Sequence, residues 1–458
     1  MLTAGMHELH DNRYRSRVKS TVSNQYPRLL AVDPWHELDI GRMLNLSLKR
    51  LVPAMVLLHC TGLTAIAADR PDNSVLLGLT GDLLVNRDDP EEIFDRIQPA
   101  LDDTDILFGN VEAGYSDDPR IALTAAIPSY APLSNLAAFR AAGFDVVSLA
   151  NNHVMDSGPE SMLEVVERLS EMGVRTVGAG VNLAAAREPA IVERNGLKIA
   201  YLAYASMFPY GFEARANFPG LAPMRSHNLY IEPIENNYTP GVPPRIRAVP
   251  HATDLMNMKE DIRRARERAD IVVTSFHWGD FQRPFHLTDH ELRIARIVID
   301  EGADLVLGHH HHILRGIEWY KGKPIFYGLG HFVFDIAVDM PVEAIKQFSG
   351  PADDPDFYGL VWHDDWPLLP LHPDARMTML AYALVSRAGA VDDIGFLPAR
   401  LTQTGHVVPV STTSDEGRQI IEYVMKGILT QNLNGVVSNQ GAIRLGGHQT
   451  VRVVPAAR

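Results

Sequence analysis

A single cysteine, Cys60, is all the thiol this 458-residue chain carries. That excludes a disulfide framework and thiolate-built structural zinc sites. Positive charge is also scarce: 42 Lys and Arg against 56 Asp and Glu leave a formal charge of −14 and a pI near 5.7. Nucleic acid is thereby disfavoured as a partner, because phosphate contacts need clustered cations. An anionic substrate would have to be gathered by local groups, since the overall field repels it. The glycines of TVGAG (176–180) lack the Gly-x-Gly-x-x-Gly spacing, so a dinucleotide site is unsupported.

Long apolar runs are absent with one exception. Lys49 and Arg50 precede an apolar stretch from Leu51 to Ala67 that closes on Ala65-Ile66-Ala67. A charged start, an apolar middle and a small-residue end are the marks of a secretory signal. Residues 43–68 are therefore expected to be a signal peptide with translation starting at Met43, or, uncleaved, a membrane anchor through 51–67. Residues 1–42 would then be an upstream extension without fixed structure. The mature protein is expected in the periplasm or at the cell surface, free of cysteine, with a core large enough to need no staples.

From Ser74 onward, short β-rich runs alternate with amphipathic segments. Strands are expected in 74–81, 104–112, 144–153, 173–180, 197–206, 269–279 and 302–310, and helices in 90–101, 133–143, 158–173, 256–269 and 288–302. Strand–helix–strand alternation with continuous apolar strands predicts an α/β fold. The main domain is read as 74–432. Within it, 207–251 is dense in Pro, Gly, Asn and aromatics and reads as a lid-like loop. Residues 433–458 read as a loosely attached tail.

Polar residues recur where these strands end. The first ends in Asp82, with Arg87 five residues on; the second in Asn110 and Glu112; the third in Asn151, Asn152 and His153, with Asp156 following. A later strand ends in His277, Trp278 and Asp280, and the last runs into four histidines, His309 to His312. Singly, each has a plain explanation as a turn or a helix cap. A parallel sheet, however, gathers its strand ends on one edge, so five such ends should converge. Carboxylates, an amide oxygen and imidazoles together suit one or two divalent ions, with Mn, Zn or Fe as candidates. Two ions bridged by a carboxylate can activate water and clamp a phosphoryl or carbonyl oxygen. In an extended segment His310 and His312 would share one face and His309 and His311 the other; alternation alone does not choose between the pairs.

The segments LTGDLLVNR, GNVEA, SLANNHVMDSG, SFHWGD and VLGHHHHILRGIEWYKGKPIFYGLGHFVFD, in this order and spacing, resemble the CapA (PgsA-like) capsule and poly-γ-glutamate biosynthesis family from about Val75 to Asp335. The resemblance implies a calcineurin-like metallophosphoesterase fold, a layered α/β sandwich here carrying one long inserted loop. It implies Asp82 and Glu112 as carboxylate ligands, the latter bridging, with Asn152 and His277 as further ligands. The family's variable-His-Pro-His pattern makes His310 and His312 ligands and leaves His309 and His311 as bystanders. His153 becomes a general acid or phosphate contact, with Asp82 and Arg87 beside it in the catalytic set. Arg87, Arg215 and Arg225 offer bidentate grips for carboxylates or phosphates and, with Asn151, are the candidate substrate contacts. Three departures stand out: Asp82-Leu83-Leu84 where metallophosphoesterases have Asp-x-His, Phe281 where the family has Glu, and His331 where it has Asn.

The function implied is synthesis or processing of capsule or poly-γ-glutamate, by a metal-dependent hydrolase or transferase using a metal-activated water. Its partners would be an anionic polymer or its precursor and capsule-synthesis membrane proteins. A non-catalytic assembly scaffold and a secreted phosphoesterase for small phosphorylated substrates are the alternatives. The last rests on fold alone.

Overall fold

Strand β1 (Val75–Leu84) is buried at every position, which is what a strand covered on both faces requires. The structure, a computed structural model, describes residues 74–457 apart from 126, 233–239, 337–341, 352–353, 355, 387 and 441. The expected upstream extension and signal segment lie outside the described residues.

Beside β1 run β2 (Ile106–Val111), β3 (Val146–Ser148) and β4 (Arg175–Val177), all parallel, with α1 (Pro159–Glu171) between the last two. The chain then leaves to build a second, six-stranded sheet. β5 (Ala190–Arg194) and β6 (Leu197–Ala205) come first, followed by a separate hairpin of β7 (Ser226–Ile231) and β8 (Arg245–Pro250). α2 (Ala252–Arg268), β9 (Ile271–His277), α3 (Asp289–Glu301), β10 (Leu305–His309), β11 (Ile317–Tyr320) and β12 (Lys323–Phe326) complete it in the order β11-β12-β10-β9-β6-β5. Only its two outer pairs, β5–β6 and β11–β12, are antiparallel.

The chain now returns to the first sheet. β13 (His331–Phe334) joins β1 in parallel, and β14 (Met377–Ser386) and β15 (Ala390–Leu401) extend that sheet antiparallel. β16 (Val407–Pro409) pairs with β15, and after α4 (Asp415–Thr430) come β17 (Gly435–Ser438) and β18 (Val451–Pro455). The ten-stranded sheet reads β17-β18-β15-β14-β1-β2-β3-β4, with β13 and β16 attached at β1 and β15. This layered, mixed α/β architecture is consistent with the metallophosphoesterase-like fold. Among the described residues, no helix is long and apolar enough to cross a membrane.

Period-two alternation explains the layering. In β6, Ile199, Tyr201 and Ala203 belong to the large core shared with the ten-stranded sheet, where Tyr201 stacks on Phe108 at 5.3 Å between ring centroids. Ala200, Leu202 and Tyr204 belong to a second cluster, with Met258 and Ile262 of α2 and Ile294 and Val298 of α3. Both faces are covered, so the strand reads as one apolar run. α3 shows why its helix begins and ends where it does. Thr288 and Glu291 form a capping box, and Gly302 stops the helix in a left-handed conformation at φ 118°. Where the sheets' strand ends meet, only glycine fits: a Cβ on Gly81 would run into the carbonyl of Gly330, and one on Gly308 into that of Tyr327.

Several expectations change. The strand ends converge not on the edge of one sheet but where two facing sheets meet. Residues 90–101 and 133–143 give 3₁₀ turns running into five-residue helices, Gln98–Asp102 and Ala137–Ala141, rather than longer helices. The 207–251 loop contains the β7–β8 hairpin. The expected tail is part of the fold: β18 pairs with β15 and β17, and Val451 and Val453 are fully buried. Its Gly and Asn content marks turns, not looseness.

A chain ending at Asn432 should therefore lose at least about 3 kcal/mol, from the two buried valines alone at about 1.5 kcal/mol or more each. Urea unfolding measures this, and an unchanged midpoint would mean that β18 contributes nothing.

Candidate metal centre

Glu112, directly after β2, is wholly buried, and neither of its carboxylate oxygens has a hydrogen-bond partner. An unpaired buried carboxylate costs several kcal/mol unless it takes up a proton or a cation lies against it. Burial, reinforced by the neighbouring Asp82 carboxylate, pushes its pKa well above the usual range. Asp82 behaves oppositely. Burial opposes its ionisation, but a hydrogen bond from His309 and the surrounding imidazoles outweigh that and hold it ionised. Its Oδ1 accepts from Asn110 Nδ2 at 2.9 Å and lies 3.1 Å from His309 Nδ1; its Oδ2 accepts from the His310 backbone N–H at 3.3 Å.

Against these carboxylates the second sheet sets its histidines. His277 ends β9, with Nε2 2.6 Å from Asn152 Oδ1 and 3.3 Å from Glu112 Oε1. Two groups of possible ligand atoms result, each within 4.8 Å of one another: Asp82, Glu112 and His277, and Glu112, His310 and His312. Glu112 belongs to both.

The histidine run is not extended. β10 stops at His309, and His310 and His312 adopt positive φ of 88° and 60°, strained for non-glycine residues. The turn swings the His310 ring to 4.8 Å from that of His277 and 5.7 Å from that of His312. His309, read as a bystander, belongs to neither group of possible ligand atoms, but it is not idle. It is in register with His277 on β9, so the same alternation that aims His277 at the first sheet aims His309 at Asp82. His311 turns away to Glu291 Oε1 at 2.8 Å, tying the turn to the capping box of α3.

Residues 67–336 match the family described as bacterial capsule synthesis protein PGA_cap, a stretch that holds every residue of this cluster. The chain belongs to that family. It is 29% identical over 269 residues to the PGA biosynthesis protein CapA of Bacillus subtilis, an alignment covering 57% of this chain and 61% of that one. It is 27% identical over 277 residues to the capsule biosynthesis protein CapA of Bacillus anthracis, covering 58% and 61%. To a probable polyglutamine synthesis accessory protein of Mycobacterium tuberculosis it is 30% identical over 236 residues, covering 51% and 56%. The aligned region thus spans about three fifths of these relatives' own length.

In this PGA_cap chain His153 stands at the rim, partly exposed, its Nδ1 2.6 Å from Asp156 Oδ2. Asn151, expected to touch substrate, is instead spent on the scaffold. Its Nδ2 donates to the Val111 carbonyl at 2.7 Å, and its Oδ1 accepts from the His153 backbone at 3.1 Å. The three arginines have partners within the fold. Arg87 forms a bidentate pair with buried Asp335 at 2.5 and 3.0 Å. Arg225 clamps Asp254 in the first turn of α2 at 2.8 and 2.9 Å, and exposed Arg215 lies 4.8 Å over the ring of Phe218. Asp280 does not replace the missing Glu, since its carboxylate holds Arg283 Nε at 2.6 Å, while Phe281 sets its ring edge-on to His310 and His312 at 5.6 and 6.0 Å. Sequence reading missed two supports, the His153–Asp156 pair and Glu291. The i,i+3 spacing of the first was the available signal.

Arg87→Ala should leave buried Asp335 without its ion-pair partner, keeping only the hydrogen bond from the Asn86 backbone, and cost about 3 kcal/mol in stability, with metal uptake unchanged. Thermal melts beside elemental analysis test this. A second expectation concerns acid. Burial depresses His290 and His331 to about 4 and His310 to about 3, below the unfolded value of 6.5. The unfolded chain therefore binds more protons between those limits, and metal-free protein should lose stability as pH falls from about 6.5 toward 4. Each histidine adds at most about 1.4 kcal/mol per pH unit. The raised carboxylates Glu112, Asp145, Asp261, Asp335 and Asp393 oppose them but are outnumbered by depressed histidines, so a flat or rising stability toward acid in urea melts would contradict the buried neutral imidazoles.

Proposed function

We propose that this PGA_cap protein is an exported, metal-dependent hydrolase or transferase that makes or processes poly-γ-glutamate or a related anionic envelope polymer. The reading rests above all on Glu112, a buried carboxylate without a hydrogen bond shared by two groups of possible ligands. Two carboxylates, an amide oxygen and three imidazoles suit a divalent ion such as Mn, Zn or Fe. Asp82, Glu112, Asn152 and His277 would hold one ion, and Glu112, His310 and His312 a second. An ion there would supply Lewis acidity and a water activated near neutral pH. The names of the relatives support the polymer, and the apolar segment at 51–67 supports export.

The remaining steps belong to the chain's own groups. Asp156 Oδ2 accepts the Nδ1–H of His153 and orients the ring. In its imidazolium form the ring gives the Nε2 proton to the leaving group, a phosphoester oxygen or a γ-glutamyl nitrogen, and is left neutral with Nδ1–H still bound to Asp156. Asn151 holds the His153 backbone in place. With Arg87 and Arg225 already paired, an ion held by the cluster would supply positive charge for an anionic substrate on this acidic chain. A non-catalytic assembly role is the second reading; Phe281, an apolar ring against two ligand histidines, favours it.

Untagged protein should contain one or two equivalents of metal, and His277→Ala and His310→Ala should each lose most of it. His153→Ala should keep its metal while losing about 10²- to 10⁴-fold in turnover of γ-glutamyl polymer or phosphoester. Wild-type protein that neither contains nor takes up Mn, Zn or Fe would end the hydrolase reading and leave the assembly role.

A further inference from the structure

Arg315 is among the largest fully buried side chains of the described residues, with 1% of its surface exposed. Among those residues it forms no ion pair, although a buried cation without an anion costs several kcal/mol. Its guanidinium is spent on backbone instead. Nη1 donates to the Arg283 carbonyl at 2.8 Å and Nη2 to that of Asp280 at 2.5 Å, while Nε has no partner. Burial draws its pKa down, as expected of a cation held away from water. The two carbonyls bracket a short turn. Within it Asp280 Oδ1 accepts from the Gln282 backbone at 2.9 Å and Oδ2 from Arg283 Nε at 2.6 Å. The turn is thus closed by its own side chains and held in place by a single fork of donors.

Phe281 lies between the two clamped carbonyls, and its ring stands edge-on to His310 and His312 at 5.6 and 6.0 Å. Arg315 comes three residues after His312, so the segment that presents the imidazoles also holds the ring set against them. The approach is close: a Cβ on Gly279 would run into the His311 ring. Further along, Phe285 sets its ring 4.6 Å from that of Tyr423 in α4, and the Leu287 N–H donates to Gln431 Oε1 at 3.1 Å. We infer that Arg315 is a positioning residue of the metal centre: it fixes the 280–283 turn so that Phe281 forms an apolar wall keeping solvent off the His310–His312 side. The inference rests on the metal-centre reading above and adds to it what excludes water there. A guanidinium suits the task because its fork fixes two carbonyls of one turn in a set geometry, which an ammonium does not match. An apolar wall beside ligands controls solvent access and, through it, how firmly an ion is held.

The test is a double-variant cycle on the untagged full chain, with cobalt as the probe. Cobalt affinity by competition titration and the visible absorption of the loaded protein are measured for the parent, Arg315→Met, Phe281→Ala and the pair. Arg315→Met should weaken cobalt by about tenfold, as loss of outer support for a ligand does. Its d–d absorption should fall as water enters and the coordination number rises. Phe281→Ala should do the same, and in that background Arg315→Met should add less than about twofold, because the two residues act as one unit. Arg315→Lys, which keeps the charge and loses the fork, should show the same pattern with a smaller loss, and it completes the cycle if Arg315→Met does not fold. Unchanged cobalt affinity and spectrum in either single variant, or losses at the two positions that simply add, overturn the inference while leaving the centre standing. A parent chain that binds no cobalt overturns both.

Discussion

Glu112 is a carboxylate that folding has stripped of water and given no hydrogen bond, and much around it depends on that arrangement. Asp82 beside it can stay ionised because His309 and the neighbouring imidazoles stabilise its charge; the same charge makes a second anion at Glu112 costly. The histidines in turn are held neutral by burial and so keep lone pairs available. Carboxylates on one sheet and imidazoles on the other thus form a set of donors with a deficit of positive charge. A proton on Glu112 or a divalent cation against it would relieve it.

The geometry that keeps this set together is strained. His310 and His312 pay for positive φ with about 1–3 kcal/mol each, and the turn holds because its neighbours over-determine it. His311 is anchored to Glu291, the His310 amide to Asp82, and Gly308 admits the Tyr327 carbonyl where no side chain would fit. Rings are thereby aimed by backbone conformation, not by strand alternation.

This is why some of the molecule was legible in the sequence and some was not. Strands β1, β2, β6, β9 and β10 stood out because burial on both faces makes them continuous apolar runs ending in glycine and polar residues. The strand-end rule pointed to the region, and the family resemblance picked out Asp82, Glu112, Asn152, His277, His310 and His312, which the fold does bring together, although on two sheets and not one. His309, set aside by the family pattern, is the last residue of β10, and its place in the strand aims it at Asp82. The ion pairs of Arg87 and Arg225 were not legible because their partners are remote: Asp335 is 248 residues from Arg87 and Asp254 is 29 from Arg225. The strands after 377 were missed because their pairing is decided by the exposed edge they cover, which no local pattern records.

The path of the chain between the sheets has a consequence for how the protein is assembled. β1 emerges early in synthesis, yet its neighbours β13 and β14 lie about 250 to 300 residues further along, beyond the whole second sheet. Contacts of such separation form late and slowly, and until they do the middle of the large sheet has an open edge. Asp82 therefore waits through most of translation for the histidines that will face it. The donor set exists only once the second sheet is complete and the chain has come back. Whatever ion it holds is captured at the end of folding, from the metals present in the compartment where folding finishes.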